Sequence, residues 1–456
     1  MSTSSVNLSP SLTTSGSGID VTAIVDQILA ADRAPERIWQ ARQASLLTQA
    51  AALTTISSDL ADLKTKINAL KDVLGAITAK VATSSQSGIV TATAQPTAAS
   101  GVHTVIVQNL ATSSSYYTDP VASSSATFAT GTFSLTVGST TTPLTVDGTN
   151  NTLDGLVNYL NGKKLGITAS VINDVGGSRL ALTSNSTGLR SDLTVTGNTT
   201  GLNFTKSAAG TNASFSIDGV PLSSTTNTVT GALPGIALTL VSAAPTTPVR
   251  LTIGSDTNKA TQAVNDFVTS YNTLMGLINS QFAFNPATNT AGPLGADSSL
   301  RSLQSSLLSD VTYSITGNNG FVNLASMGVN MANDGSLSVD STQLKDTLTN
   351  HFSDFQNFFQ SLDPLLSGFA YQFAADMSHL TDPTSGIIQL DLNQNSNTQK
   401  NLTDEITNFE DRLAQTRQQL ITQYSQVDAA LRQFPLIMQQ ITSQLGTSTA
   451  SPTRVL

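Results

Sequence analysis

Cysteine is absent from the 456 residues, which excludes a disulfide framework, a thiolate nucleophile, an iron–sulfur cluster and any Cys-based zinc site. Charge is scarce. Asp, Glu, Lys and Arg fill 11% of positions, against roughly 25% in ordinary soluble domains, so the polar surface falls to Ser and Thr, about a quarter of the chain. A net charge of −9 without any Lys/Arg cluster leaves no face able to neutralise phosphates and argues against nucleic acid. The three glutamates, Glu36, Glu405 and Glu410, all fall on expected stalk helices. The aspartates of the β-rich middle mostly stand beside Gly or Asn, where turn formation explains them, so a glycosidase-type carboxylate pair has little to rest on. Trp39 is the single tryptophan, which excludes a tryptophan platform for sugars in the middle of the chain. His103, His351 and His379 lie far apart and lack metal-ligand spacing. Gly16-Ser17-Gly18 has neither the strand nor the lysine of a phosphate loop, and no Gly-x-Ser-x-Gly elbow occurs. Apolar runs are broken every few residues, well short of the roughly 18 a membrane helix needs. Met1–Ser17 lacks the basic and apolar regions of a cleaved secretory signal. The expectation is a protein with no enzymatic activity, cofactor, metal or membrane insertion.

What the chain does contain is periodicity. Leu46, Leu53, Ile56, Leu60, Leu63, Ile67, Leu70, Leu74 and Ile77 alternate at three- and four-residue spacing, as a coiled-coil seam does. Pro35 suits the first turn of this helix, and the spacing predicts a rod running to Lys80. A shorter amphipathic helix precedes it, with Asp20 as cap and Ile24, Val25, Ile28 and Leu29 on one face. Near the other end, Leu402, Ile406, Phe409, Leu413, Leu420, Val427, Leu431, Phe434, Met438, Ile441 and Leu445 repeat the spacing, with a kink or a division expected at Pro435. The seams are expected to pair antiparallel within one molecule over much of their length. The extreme segments, Ile19–Ala31 and Leu436–Leu445, fall outside the matched portion and would need another subunit to cover them.

Between the rods, Val102–Val107, Thr132–Val137, Ile167–Ile172, Arg179–Thr183, Ala213–Ile217, Ile236–Val241 and Val249–Ile253 read as strands separated by Gly, Asn, Asp and Pro turns. One helix interrupts them at Leu153–Leu160, capped by Asn151 or Thr152. Helical spacing returns after Asp256, with further helices over Ser299–Leu308, Ser341–Leu348 and about Pro364–Leu380, and a hairpin at Val329–Val339 turning on Asn333-Asp334-Gly335. The fold class is therefore α+β, elongated and multidomain: a helical coiled-coil stalk built from both chain ends, with a β-rich two-domain head inserted between them. The expected division is a flexible N-terminal segment with a short helix over 1–41, a helical leg over 42–83 and 255–430, a first head domain over 84–119 and 208–254, a second inserted at 120–207, and a C-terminal segment over 431–456.

Ser17-Gly18-Ile19-Asp20-Val21, Ile24-Val25, Ile28-Leu29 and Asp32-Arg33-Ala34-Pro35 together resemble the opening motif of the flagellar hook-associated protein 2 family, the flagellar filament cap proteins. Thr152-Leu153-Asp154-Gly155-Leu156 through Leu165-Gly166-Ile167-Thr168-Ala169-Ser170-Val171 to Leu182-Thr183-Ser184 is similar to a repeat which that family shares with flagellins and hook proteins. Phe215-Ser216-Ile217-Asp218-Gly219-Val220, Pro234-Gly235-Ile236, Phe267-Val268-Thr269-Ser270-Tyr271-Asn272 and Asp334-Gly335-Ser336-Leu337 continue the likeness in order along the chain. The resemblance implies a structural protein at the distal tip of the bacterial flagellar filament. It implies a homo-oligomeric ring promoting the folding and insertion of exported flagellin, and export through the flagellar type III apparatus without a cleaved signal peptide. It also implies an extracellular location, with flagellin, hook–filament junction proteins and a flagellar export chaperone as partners. The residues expected to make assembly or filament contacts are Ile19, Asp20, Ile24, Ile28, Arg33, Pro35, Leu436, Met438, Ile441 and Leu445. Leu53, Ile56, Leu60, Leu63, Ile67, Leu70, Leu402, Ile406, Phe409, Leu413, Leu420 and Val427 are expected to form the seam. Two alternatives stand beside the cap: an adhesin binding mucin or host glycans through the head, and another axial flagellar protein.

Overall fold

The computed structural model describes residues 20–287, 290–361 and 367–446. The chain opens with helix α1, Val21–Asp32, followed after Arg33 by α2, Ala34–Lys71. Asp20 Oδ1 accepts from the Ala23 amide at 3.0 Å and caps α1, and Pro35 sits in the first turn of α2, where a missing N–H costs nothing. Helix α2 stops at Lys71, short of the expected Lys80. The Asp72 carboxylate accepts from the Leu74 amide at 3.0 Å, and at Gly75 an added Cβ would stand 2.9 Å from Asp72 Cβ, so the chain turns away where the apolar spacing alone would carry it on. Ile77 is buried off the helix and Leu74 is 62% exposed.

The strands follow as β1 (Lys80–Ser84), β2 (Val90–Ala94), β3 (Gly101–Asn109), β4 (Ser115–Thr118), β5 (Gly131–Val137) and β6 (Thr140–Val146), then helix α3 (Leu153–Gly162). They continue as β7 (Ile167–Asp174), β8 (Gly177–Ser184), β9 (Leu193–Thr196), β10 (Phe204–Ala208), β11 (Ala213–Ile217), β12 (Val220–Ser224), β13 (Thr228–Leu233), β14 (Ile236–Leu240) and β15 (Ala244–Ser255). Sheets in the orders β1-β15-β3-β11-β12 and β13-β14-β2 enclose one core around Val105, Val107, Phe215, Leu238 and Leu251. Sheets β10-β4-β8-β7 and β6-β5-β9, with α3, enclose a second around Phe133, Leu135, Leu156, Leu160, Leu180 and Leu182. Thr152 Oγ1 caps α3 by accepting from the Gly155 amide at 3.1 Å. Asp218 and Gly219, at φ +50 and +83, make the two-residue turn joining β11 to β12. The second core is entered after β3 and left before β11. Strand β4 pairs with β8 and β10, so Ser115–Thr118 stands with the inserted sheet and not before it.

The chain then returns to helix: α4 (Thr257–Phe282), α5 (Ser298–Val311), a hairpin of β16 (Val329–Met331) and β17 (Leu337–Val339), α6 (Ser341–Asn350), α7 (Phe352–Gln360), α8 (Phe369–Leu380) and α9 (Ile387–Gly446). The expected start of a helix at Pro364 lies outside the described residues. A single helical core joins α2 with α4 to α9, and phenylalanines 267, 355, 358, 359, 369 and 373 lie at its centre with ring centroids 4.8 to 5.8 Å apart.

Candidate assembly surface

The two seams do not face each other along their whole length. Leu53, Ile56, Leu60, Leu63, Ile67 and Leu70 are buried among α4, α7 and α8. Polar ties mark this packing: Ser270 Oγ donates to Asp62 at 2.7 Å, Lys64 Nζ to Thr381 at 2.8 Å, and Gln360 Nε2 to the Leu70 carbonyl at 2.8 Å. Only the N-terminal part of α2 lies against α9. There Asn395 Nδ2 donates to the Leu46 carbonyl at 3.0 Å, Gln43 Nε2 to Thr403 at 2.9 Å, and Trp39 meets Phe409 edge-on at 5.4 Å. The expected pairing of the rods thus splits, because the returning helices offer α2 a broader apolar wall than a single rod could.

Helix α1 extends the antiparallel arrangement. Val25 and Leu29 are buried against Leu413, with Val21, Phe409, Leu420, Ile421 and Tyr424 packed around them. Part of this N-terminal face, expected to need another subunit, is covered within the chain: α9 covers Val25 and Leu29 and leaves Ile24 and Ile28 half-buried. Arg417 donates to Asp26 at 2.9 Å, which raises the guanidinium's pKa. Arg33 donates to Glu36 at 2.8 Å and approaches Glu410 at 3.9 Å, at the break between α1 and α2. A shallow cavity of about 270 Å³ lies between α1 and α9, lined by Leu29, Arg33, Glu410, Leu413, Ala414 and Arg417. Sequence reasoning missed Asp26, Glu36 and Arg417; their placement on facing helix stripes was the available signal.

Beyond Tyr424 the seam of α9 loses its cover. Leu402 and Leu413 are buried and Ile406, Phe409 and Leu420 half-buried, whereas Val427 is 51% exposed and Phe434 64%. Leu431, Leu436, Ile437, Met438 and Ile441 are exposed as well. The expected division at Pro435 is corrected: α9 is one helix of 60 residues running through it, at the cost of the bond a proline nitrogen cannot make to the preceding turn. Ile19 and the side chain of Leu445 lie outside the described residues.

His103 Nδ1 lies 2.7 Å from Asp218, and their hydrogen bond lowers the carboxyl's pKa. His351 lies 3.6 Å from Asp354 and meets Phe321 at a tilt of 35°, and His379 stands exposed on α8. Among the described residues no group of His, Asp and Glu could hold a metal ion, and no helix is long and apolar enough to cross a membrane.

Comparison with known proteins bears on this arrangement at both ends. The flagellar hook-associated protein 2 N-terminus matches residues 17–114 and the flagellar hook-associated protein 2 C-terminus residues 210–435. The chain belongs to the flagellar hook-associated protein 2 family. A flagellin hook IN motif matches residues 132–186, within the inserted core. The B-type flagellar hook-associated protein 2 of Pseudomonas aeruginosa is 29% identical, over 89% of this chain and 92% of its own length. Flagellar hook-associated protein 2 of Escherichia coli K12 is 27% identical, over 96% and 98%. The crystal structure of the D1-D2-D3 domains of the flagellar cap protein FliD from Escherichia coli aligns with a TM-score of 0.59 at 26% identity, covering 76% of this chain and 99% of that one. Family and fold together make this chain a flagellar filament cap protein, and the adhesin alternative is not favoured.

Proposed function

We propose that the chain caps the filament as a homo-oligomeric ring at the distal tip, beneath which exported flagellin subunits fold and insert. The observation that carries this reading is the change of environment along α9, whose seam is covered up to Tyr424 and, among the described residues, bare from Val427 to Ile441. A bare apolar stripe on a helix calls for a partner. The proposed contact residues are Leu436, Met438, Ile441 and Leu445, with neighbouring caps, flagellin or hook–filament junction proteins as what they meet. Ile19, Asp20, Ile24, Ile28, Arg33 and Pro35 belong to the same reading as further assembly or filament contacts. The helical core and its α9 rod form the leg, and the two β cores form the head. No bond chemistry is required: a ring that shields a folding flagellin from loss to solvent and shifts after each insertion acts by steric and apolar contact alone. The low charge of the terminal faces fits such shifting, since apolar contacts change register without stranding buried ion pairs. Export without a cleaved signal, with a flagellar chaperone holding the chain beforehand, and an extracellular location at the filament tip belong to the same reading.

Mass photometry of the full chain beside a chain ending at Tyr424 tests it. A closed ring, or a pair of rings, for the full chain and a monomer for the shortened one is the expected outcome. A strict monomer at all concentrations for the full chain would sink the ring, and an open-ended polymer would favour a flagellin-like subunit.

A further inference from the structure

We propose that α1 is an exchanged element: in the assembled state each copy lays its α1 on α9 of a neighbouring copy, through the contacts that α1 makes within one chain. This names the partner of the α1–α9 surface and rests on the ring reading. The contact stands apart from the rest of the leg. Val25 and Leu29 of α1 meet Leu413, Leu420 and Tyr424 of α9, and among the described residues no side chain of the helical core joins this cluster. Asp26 meets Arg417 at 2.9 Å with both side chains about half-exposed, at 54% and 42%, so the pair is reachable from solvent and holds α1 only weakly. A cavity of about 270 Å³ remains beside Leu29 and Leu413, and Arg33 reaches Glu410 only at 3.9 Å, so the packing is incomplete. Helix α1 also hangs from a single joint. The Arg33 amide donates to the Leu29 carbonyl at 3.1 Å and closes α1, and Pro35, in the first turn of α2, has no N–H with which to fuse the two helices.

The same two surfaces meet between copies with no loss of contact, so the choice between closed and exchanged forms depends on how firmly a second copy is held nearby. The bare stripe of α9 from Val427 to Ile441 supplies that hold, because it continues the face on which α1 lies. With α1 lifted, the apolar face runs from Leu413 to Ile441 as one stripe. A neighbour's α1 is complementary to its near end in charge as well as in shape, since it brings an aspartate at position 26 to Arg417. Each copy then gives one α1 and receives one, a head-to-tail contact of the type that closes into a ring.

The absence of cysteine makes the test direct. Full chains carrying Asp26→Cys or Arg417→Cys, each with its own tag, are mixed, assembled and treated with a short bismaleimide. Covalent pairs of unlike chains in the assembled fraction, and none in the monomer fraction, are expected. A chain carrying both substitutions should bridge within itself as a monomer and between copies when assembled. Assembled particles without unlike pairs, in which the doubly substituted chain bridges only within itself, would overturn the exchange and leave the ring standing. If the native chain stays monomeric the ring reading fails, and charge reversal decides the exchange: Asp26→Arg and Arg417→Asp each set like charges face to face within their own chain, and mixing the two restores opposite charges only between copies. Unlike dimers that form on mixing, and not in either chain alone, would uphold the exchange without the ring. Monomers on mixing would overturn it.

Discussion

Leu53 to Leu70 on α2 and Val427 to Ile441 on α9 carry apolar residues at the same three- and four-residue spacing, yet the first stripe is at most 2% exposed and the second at least 45%. The contrast separates two properties that a heptad pattern combines. Spacing makes a stripe that gains by burial, at roughly 25 cal/mol for each Å² removed from water. What removes it from water is decided elsewhere: α4, α7 and α8 for the first stripe, α1 for the middle of α9, and nothing among the described residues for its end. The first stripe therefore carries fold stability, and the last is the one proposed for assembly.

The contrast breaks most severely at Leu63. Leu63→Ala opens a cavity in a fully buried position and should cost about 2–5 kcal/mol, read as a lower midpoint in chemical denaturation of the full chain. An intermediate effect is expected where α1 meets α9, since Leu29 belongs to a small apolar cluster shared with few neighbours. Leu29→Ala should loosen α1 by about 1–2 kcal/mol, with hydrogen exchange rising over Val21–Asp32 and unchanged over Leu53–Leu70. A general rise in exchange would show that α1 and the core unfold together. At the exposed end, Phe434→Ser with Met438→Ser should change the stability of the monomer by less than about 0.5 kcal/mol while lowering the assembled fraction in mass photometry. A large loss of monomer stability would mean that this stripe is covered within the chain. The smallest effect is expected in the head. The hydrogen bond from His103 lowers the Asp218 carboxyl, so its stabilisation is present above the unfolded carboxyl's pKa and disappears as pH falls through the lowered one. Asp218→Asn should flatten the acid side of the melting profile slightly, and an unchanged profile would show that the turn holds without the charge.

Much of the fold was legible because local chemistry and tertiary structure agree. Asp218-Gly219 and Asn333-Asp334-Gly335 mark their hairpins through glycines at φ +83 and +81, and Thr152 and Asp256 mark helix starts by accepting backbone amides. Helix α7 stood outside the expectations although Phe352, Phe355, Phe358 and Phe359 carry helical spacing, since so short a segment is helical only when the core holds it. Pro435 misled in the other direction: it predicts a kink or a division, but among the described residues nothing packs against α9 there to turn the chain, and the helix continues through it undivided. Strand β4 escaped notice because its neighbours in the sheet, β8 and β10, are distant in sequence.

By itself the sequence determined that the chain would be helical at its ends and β-rich between, poor in charge and bare of thiols, with apolar stripes too regular for loops. These are properties of residue order and local propensity, which every segment carries wherever it lies. Tertiary structure alone decided which stripe meets which wall: that Leu53–Leu70 turn to α4 and α8, and that Val25 and Leu29 lie on α9 of the same chain. Such pairings join residues as far apart as Asp26 and Arg417. They follow from whole faces competing for apolar cover, a comparison no local stretch of sequence contains.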